Sequence, residues 1–234
     1  MKISILIASR KNSKYLAKFL LGFQRYTKHP ENVEVKVILP ESDTWNKELI
    51  ELHPEIEWVR ESYNYGRAGL HVYFNDLAKK ATGDWLIYFC DDHFISKDGW
   101  DDYLLREIER WGLDHNGIYC IIPKLENTGP VNQIVSRGFY NALGALGRNA
   151  WIDSYINDVA ERIPQDHVFR LNEPTFYDFS ADQPSPMSDA AQQSVYDPNF
   201  REGHPDYLPY HDPRTRQLVE VDALTLTNII KGGK

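Results

Sequence analysis

Apolar positions in the first half of the chain fall into short continuous runs separated by stretches with helical spacing. Residues 3–8 form a β-rich run, and 33–39, ended by Pro40, form a second. Trp58 and Val59 mark a short third strand, 85–90 a fourth, and 118–122 a further one. Between the first two, Leu16, Phe19, Leu20 and Phe23 recur at i, i+3, i+4 and i+7, which lines one face of a helix, with Asn12 or Ser13 available as its cap. Leu70, Phe74, Leu77 and Ala78 give a second stripe within 67–80, and Leu104, Ile108 and Trp111 a third. The run 85–90 shows no polar alternation, the mark of a strand covered on both faces. Strands alternating with helices of this length predict an α/β fold, a mostly parallel sheet flanked by helices. In such sheets ligands bind beyond the carboxyl ends of the strands, which singles out the residues after Ala8, Leu39 and Cys90.

The second half is less regular. Residues 138–147 are rich in Gly and Ala, and helical spacing returns over about 153–162. Residues 164–213 hold most of the prolines and many aromatics with little periodicity, and read as a long irregular excursion packed over the site. A last weak helix is expected over about 219–230. The resulting division is a core over 1–165 and an irregular C-terminal extension over 166–234, within the same globule.

Composition acts by exclusion. The chain of 234 residues carries 34 acidic and 26 basic side chains, a net charge of −8. That balance argues against nucleic acid or an anionic membrane as partner. No run approaches the ~18 apolar residues that cross a bilayer. The opening MKISILIAS has too short an apolar stretch and no small-residue cleavage site for a leader. The expectation is a cytoplasmic protein without a transmembrane segment. Cys90 and Cys120 sit in apolar runs and read as buried free thiols, suited to a reducing compartment.

The sharpest chemistry lies at Leu86-Ile87-Tyr88-Phe89-Cys90-Asp91-Asp92-His93, where a buried strand runs straight into two carboxylates and an imidazole. Adjacent acids at a strand end repel one another, so a positive partner is expected. A divalent cation with a diphosphate meets that need; oxygen donors suit Mg2+, and an imidazole shifts the preference toward Mn2+. A solvated turn is the ordinary alternative for these residue types.

The order of motifs around this turn resembles the family 2-type glycosyltransferases of the GT-A fold. That family carries a Gly-acid-aromatic step, an apolar strand, an Asp-x-Asp motif and a later Gly-Trp. Here the same order reads Gly83-Asp84-Trp85, the strand, Asp91-Asp92-His93 and Gly99-Trp100, without gaps. Asn64, Gly66, Arg67 and Asn75 approximate the upstream Asn/Gly pattern, with one extra residue, and 3–10 resembles the first strand with its Ser-Arg turn. The resemblance covers roughly residues 1–165.

It implies a nucleotide-sugar-binding and catalytic GT-A core over 1–165, with 166–234 completing the acceptor side. The implied donor is a nucleoside-diphosphate sugar, and the acceptor a glycan or other hydroxyl. Asp91, Asp92 and His93 become the metal ligands for Mn2+ or Mg2+, with Asp91 also reaching the ribose. His93 stands where the family has its second Asp, and Asp92 is the alternative ligand if the register shifts by one. Ser9, Arg10, Glu41, Asp43 and Arg67 become donor-binding residues, although Asp43 also suits a cap for the next helix. The segment Trp151-Ile152-Asp153-Ser154-Tyr155-Ile156-Asn157-Asp158 resembles the helix that carries the catalytic base. Asp158 is the first choice and Asp153 the reserve, with Asn157 where the family has Glu. His167, His204, His211 and Asp178 are candidates for a downstream metal ligand. Trp100, Trp151, Tyr177 and Tyr196 are candidates for stacking on sugar rings.

The implied activity is inverting glycosyl transfer. A sugar-1-phosphate nucleotidyltransferase would need a glycine-rich loop after the first strand, and Ser9-Arg10-Lys11-Asn12-Ser13 has none. No Gly-x-Gly-x-x-Gly follows a strand, which disfavours a dinucleotide oxidoreductase. A non-catalytic nucleotide-sugar or glycan-binding protein on a degenerate GT-A fold is the reading that His93 and Asn157 would favour.

Overall fold

Among the described residues, eight strands form one sheet in the order β3-β2-β1-β4-β7-β6-β8-β5. This is a computed structural model, and it describes residues 1–9, 12–62, 69–127, 131–149, 151–178 and 212–233. In chain order these hold β1 (Ile3–Ala8), α1 (Ser13–Tyr26), β2 (Val33–Pro40), α2 (Lys47–Leu52), β3 (Glu57–Glu61), α3 (Leu70–Lys80) and β4 (Trp85–Cys90). There follow β5 (His93–Ile95), α4 (Trp100–Arg110), β6 (Cys120–Leu125), β7 (Ile134–Ser136), α5 (Arg137–Leu143), α6 (Ile152–Ala160), β8 (Val168–Asp178) and α7 (Pro213–Gly232). Strands β3, β2, β1 and β4 pair in parallel, as do β6 and β8. β7 runs antiparallel between β4 and β6, and β5 antiparallel to β8.

Side-chain alternation splits the core into two layers. Along β4, Trp85, Ile87 and Phe89 pack with Phe19 of α1 and Leu104 of α4, while Leu86 and Tyr88 pack with Phe74 of α3 and Ile156 of α6. Both faces are therefore covered, which is why β1 and β4 read as unbroken apolar runs. Phe89 is fully buried between Phe19, at 4.9 Å between centroids, and Phe176, at 5.1 Å. Truncating it to Ala would remove about 3–5 kcal/mol of stability.

The short link between β4 and β5 constrains the sheet's shape. Only Asp91 and Asp92 separate Cys90 from His93, yet three strands stand between β4 and β5 in the sheet order. A flat sheet would hold strands four places apart at ~19 Å, whereas three residue steps span at most ~11 Å. The sheet must curl until its edge strand β5 comes back to β4 in the middle, and the acidic turn is the staple between them.

The stretch after Pro164, read as irregular, opens with β8, whose pairing with β6 is interrupted by register shifts at Ile122/Lys124 and Lys124/Leu125. The final helix is longer than the expected one and is capped by the Asp212 side chain, with Pro213 in its first turn. It docks through Asp222, which accepts from Arg148 Nε at 2.7 Å, Arg148 Nη2 at 3.0 Å and the Tyr155 hydroxyl at 2.5 Å. Among the described residues, no helix is long and apolar enough to cross a membrane.

At the amino ends of the strands the chain closes on itself. The Glu34 carboxylate accepts from the Ser4 hydroxyl at 2.6 Å, the Thr82 amide at 2.5 Å and the Thr82 hydroxyl at 2.8 Å, and pairs with Lys2 at 3.0 Å. Gly83 belongs to this knot: a Cβ there would lie 2.3 Å from Ser4 Oγ, so only glycine lets the backbone approach.

Candidate active site

The carboxyl ends of β1 and β4 meet at a partly buried hydroxyl–carboxylate contact. Ser9 directly follows β1; its amide donates to the Ile38 carbonyl at 3.1 Å, and its hydroxyl to Asp91 Oδ2 at 2.6 Å. Burial and the neighbouring Asp92 charge push the Asp91 carboxyl up to about 6, against the lowering pull of Ser9, Asn12 and His93. Two adjacent carboxylates with few donors around them thus favour a positive ligand.

His93, only 4% exposed, lies across the turn from them. Its Nδ1 is 2.9 Å from Asn132 Oδ1, which also accepts from the Cys90 amide at 3.3 Å. Because a backbone amide can only donate, it fixes the side-chain oxygen toward Cys90 and His93, and Nδ1 then carries the proton. The other ring nitrogen, Nε2, faces carboxylates: Asp178 Oδ1 at 3.5 Å and Asp92 Oδ1 at 3.7 Å. Burial alone lowers the imidazole, but Asp178, Asp92 and Asn132 outweigh it and hold it above the usual histidine value. Asn132 adopts a left-handed backbone with φ of 59°, and its Nδ2 is buried with no hydrogen-bond partner among the described residues.

The donor chemistry of this turn fits a divalent cation. Ligand atoms of Cys90, Asp92 and His93 lie within 4.8 Å of one another. An imidazole whose Nδ1 donates to a fixed acceptor while Nε2 points among carboxylates becomes a ligand when a cation displaces the Nε2 proton. Asp92, His93 and Asp178 would hold the ion, with Asp91 beside them.

The other expected residues separate into groups. Asp153, in the first turn of α6, is close enough for its charge to raise both Tyr88 and Cys90, after the larger effect of burial. Asp158 instead lines a cleft of about 480 Å³ with Arg162, Asp212, Pro213, Thr215, Arg216 and Val219, which none of Asp91, Asp92 or His93 lines. Glu41, just past β2, is exposed, and its amide extends the ladder to the Glu61 carbonyl at 2.8 Å. Asp43 is buried, its carboxylate accepting from the Trp45 amide at 2.8 Å and Asn46 Nδ2 at 3.2 Å, so it shapes the turn into α2. Arg10, Arg67, Asn64, Gly66, His204, His211 and Tyr196 lie outside the described residues.

Asp178 joins the site because β8 pairs it directly with His93. His167 does not: its Nδ1 contacts the Ile118 carbonyl at 2.7 Å and its ring stacks on Tyr119. Trp100 is fully buried and donates to Thr27 at 2.9 Å, so it is a core residue and not a sugar platform. Tyr177 packs on Phe94, while Trp151 is 45% exposed. Asn75, part of the upstream motif, clamps the α5–α6 loop through Leu146 and Gly147. Cys120 is buried as expected, but Cys90 is only half-buried, because β4 ends there and the turn opens to solvent. Sequence reasoning overlooked Asn132 and the ligand capacity of Cys90. The only available signal for Cys90 was its place beside the acids.

A sheet of this kind, with an acidic turn at the end of a central strand, is a GT-A-type fold. The chain is similar in structure to S. aureus TarS: a TarS 1–349 structure in complex with UDP-GlcNAc superposes with a TM-score of 0.68 at 14% identity, covering 95% of this chain and 66% of that one. Against a further TarS structure the TM-score is 0.63 at 13% identity, and the chain spans 42% of that protein's length. The mannosyltransferase PcManGT from Pyrobaculum calidifontis, solved in complex with GDP-Man and Mn2+, gives a TM-score of 0.60 at 12% identity, over 100% of this chain and 76% of that one. No protein-family model matches the sequence, and no curated protein matches it either.

Proposed function

We propose that the chain is a glycosyltransferase that takes a nucleoside-diphosphate sugar and passes the sugar, with inversion, to a hydroxyl of a glycan or related acceptor. The observation that carries this reading is the convergence of Ser9, Asp91, Asp92, His93 and Asp178 at the carboxyl ends of the strands on a GT-A-type sheet. Glycosyltransferases solved with UDP-GlcNAc and with GDP-Man share that fold, which supports a nucleotide-sugar donor.

In this reading Ser9 orients Asp91 toward the donor's ribose, and Glu41 and Asp43 border the nucleoside, with Arg10 and Arg67 as cationic partners of the diphosphate. Asp92, His93 and Asp178 would hold Mn2+ or Mg2+, whose charge would offset that developing on the leaving nucleoside diphosphate. The base is Asp153 in preference to Asp158, supported by the reach of its charge to Tyr88 and Cys90. It takes the acceptor hydroxyl's proton as that oxygen attacks the anomeric carbon and the carbon–phosphate oxygen bond breaks.

The test is a panel of nucleotide sugars incubated with the protein, with Mn2+ or with chelator, followed by measurement of released nucleoside diphosphate. Metal-dependent release from one donor, lost in Asp91→Asn and reduced in Asp153→Asn more than in Asp158→Asn, is the expected result. Tight nucleotide-sugar binding with no release, even with acceptors supplied, would favour a binding protein. No binding at all would overturn the reading.

A further inference from the structure

We propose that the Cys90 thiol is itself a ligand of the cation held at the β4–β5 turn, so that the site takes a borderline transition metal, zinc or cobalt, before any nucleotide arrives. The proposal deepens the reading above and rests on it for why a cation is held here at all.

Among the described residues, one group of three possible ligands is brought together, and Cys90 is in it with Asp92 and His93, all ligand atoms within 4.8 Å. A tetrahedral cation with bonds of ~2.0–2.3 Å brings such donors to ~3.3–3.8 Å of each other, so side-chain shifts of about 1 Å close the set. Sulfur, imidazole nitrogen and carboxylate oxygen together are the donor set of zinc, whereas magnesium selects oxygen alone. Asp178 Oδ1, 3.5 Å from His93 Nε2, supplies a further oxygen.

The ordinary alternative is a packed core thiol, and Cys120 shows what that looks like here: fully buried in the sheet's second apolar layer. Cys90 packs against the edge of the same layer but differs in its exposure and position. It is half-buried, it ends its strand, and the Tyr88 hydroxyl lies 3.0 Å from its sulfur, placed to donate to a thiolate. Loading the ion replaces the S–H bond by a sulfur–metal bond and releases that proton to solvent, one proton per cation.

The experiment uses the full chain, stripped of metal and titrated with Co2+ alone. Wild-type protein and Cys120→Ser should develop a sulfur-to-cobalt charge-transfer band in the near ultraviolet. Cys90→Ser should lack it and bind Co2+ at least ~10-fold more weakly. A Co2+ complex without that band in wild type, a band that survives in Cys90→Ser, or no Co2+ binding would each overturn the proposal. The first leaves an oxygen-and-imidazole cation site standing, the second moves the sulfur ligand to Cys120, and neither bears on the transferase reading. A band with no nucleotide sugar turned over keeps Cys90 as ligand and counts against the transferase reading instead. Should Cys90→Ser fail to fold, alkylation of wild type decides. Protection of Cys90 by Zn2+ supports ligation, and equal labelling with and without Zn2+ refutes it.

Discussion

Glu34 and Asp91 are carboxylates at opposite ends of the same sheet, and they are treated in opposite ways. Burial works against the charge of Glu34, yet hydrogen bonds from Ser4, Thr82 and Lys2 outweigh it and pull its carboxyl down to about 2. Asp91 has the Ser9 hydroxyl and Asn12 as donors and a second acid beside it, and its carboxyl is pushed up to about 6. At the amino edge the chain supplies every donor that the acid needs, which leaves nothing for a ligand. At the carboxyl edge acceptors outnumber donors, and that deficit is the opening for a cation or a sugar donor. Acids satisfied by the fold stabilise it; acids left short of partners mark a site.

The comparison can be broken most directly at Asp91. Asp91→Asn should lower donor turnover ~100- to 1,000-fold while leaving the melting temperature unchanged or raised, because a like-charge contact with Asp92 is removed. Persistent turnover with a lower melting temperature would mean that Asp91 belongs with the structural acids. Asp222, a third acid, sharpens the contrast because it is buried and fully paired. Asp222→Ala strands Arg148 and Tyr155 and should remove about 3 kcal/mol in a urea titration, the low end for a broken buried pair because Arg148 keeps part of its surface in water. Glu34→Gln should be milder, about 1–3 kcal/mol, with turnover per folded molecule unchanged.

The smallest effect is the pH dependence of Glu34. Its folded carboxyl lies at about 2, below the ordinary 4.5, so its stabilisation is complete above pH 4.5 and disappears as the pH falls toward 2. Melting temperatures of wild type and Glu34→Gln should therefore converge between pH 4.5 and 2. A constant gap across that window would contradict the assignment.

How far the sequence disclosed all this depended on the length and regularity of each element. β1, β2 and β4 were readable because helices cover both faces and leave unbroken apolar runs. β5 and β7 are three residues each, too short for any period to show. β8 was hidden by Pro174 and by the register shifts in its pairing with β6, which spoil the alternation. The acidic turn was plain, but Asp178 was one candidate among several until its strand was placed. Asn132 carried no signal, since its importance comes from the fold that brings it to His93. The two base candidates sit five residues apart on α6, ~140° around the helix, so only its packing tells which one faces β4. The motifs that carried the resemblance also proved largely structural: Asp84 accepts from the Lys2 amide at 2.7 Å, and Gly99, at φ of 63°, admits the buried Trp100.

The staple between β4 and β5 has a consequence for the order of folding. β5 pairs with β8, so His93 meets Asp178 across most of the described core, one of the longest-range contacts in the sheet. Closing so long a loop costs conformational entropy, as does the comparable pairing of β1 with β4, but β8 is the last strand to be made. The strands β1, β2 and β4 can associate while the remainder of the chain is still emerging from synthesis, but the curl cannot close without β8. The crowding of acids at the turn is thereby deferred to a stage at which most of the apolar surface is already buried and can offset it.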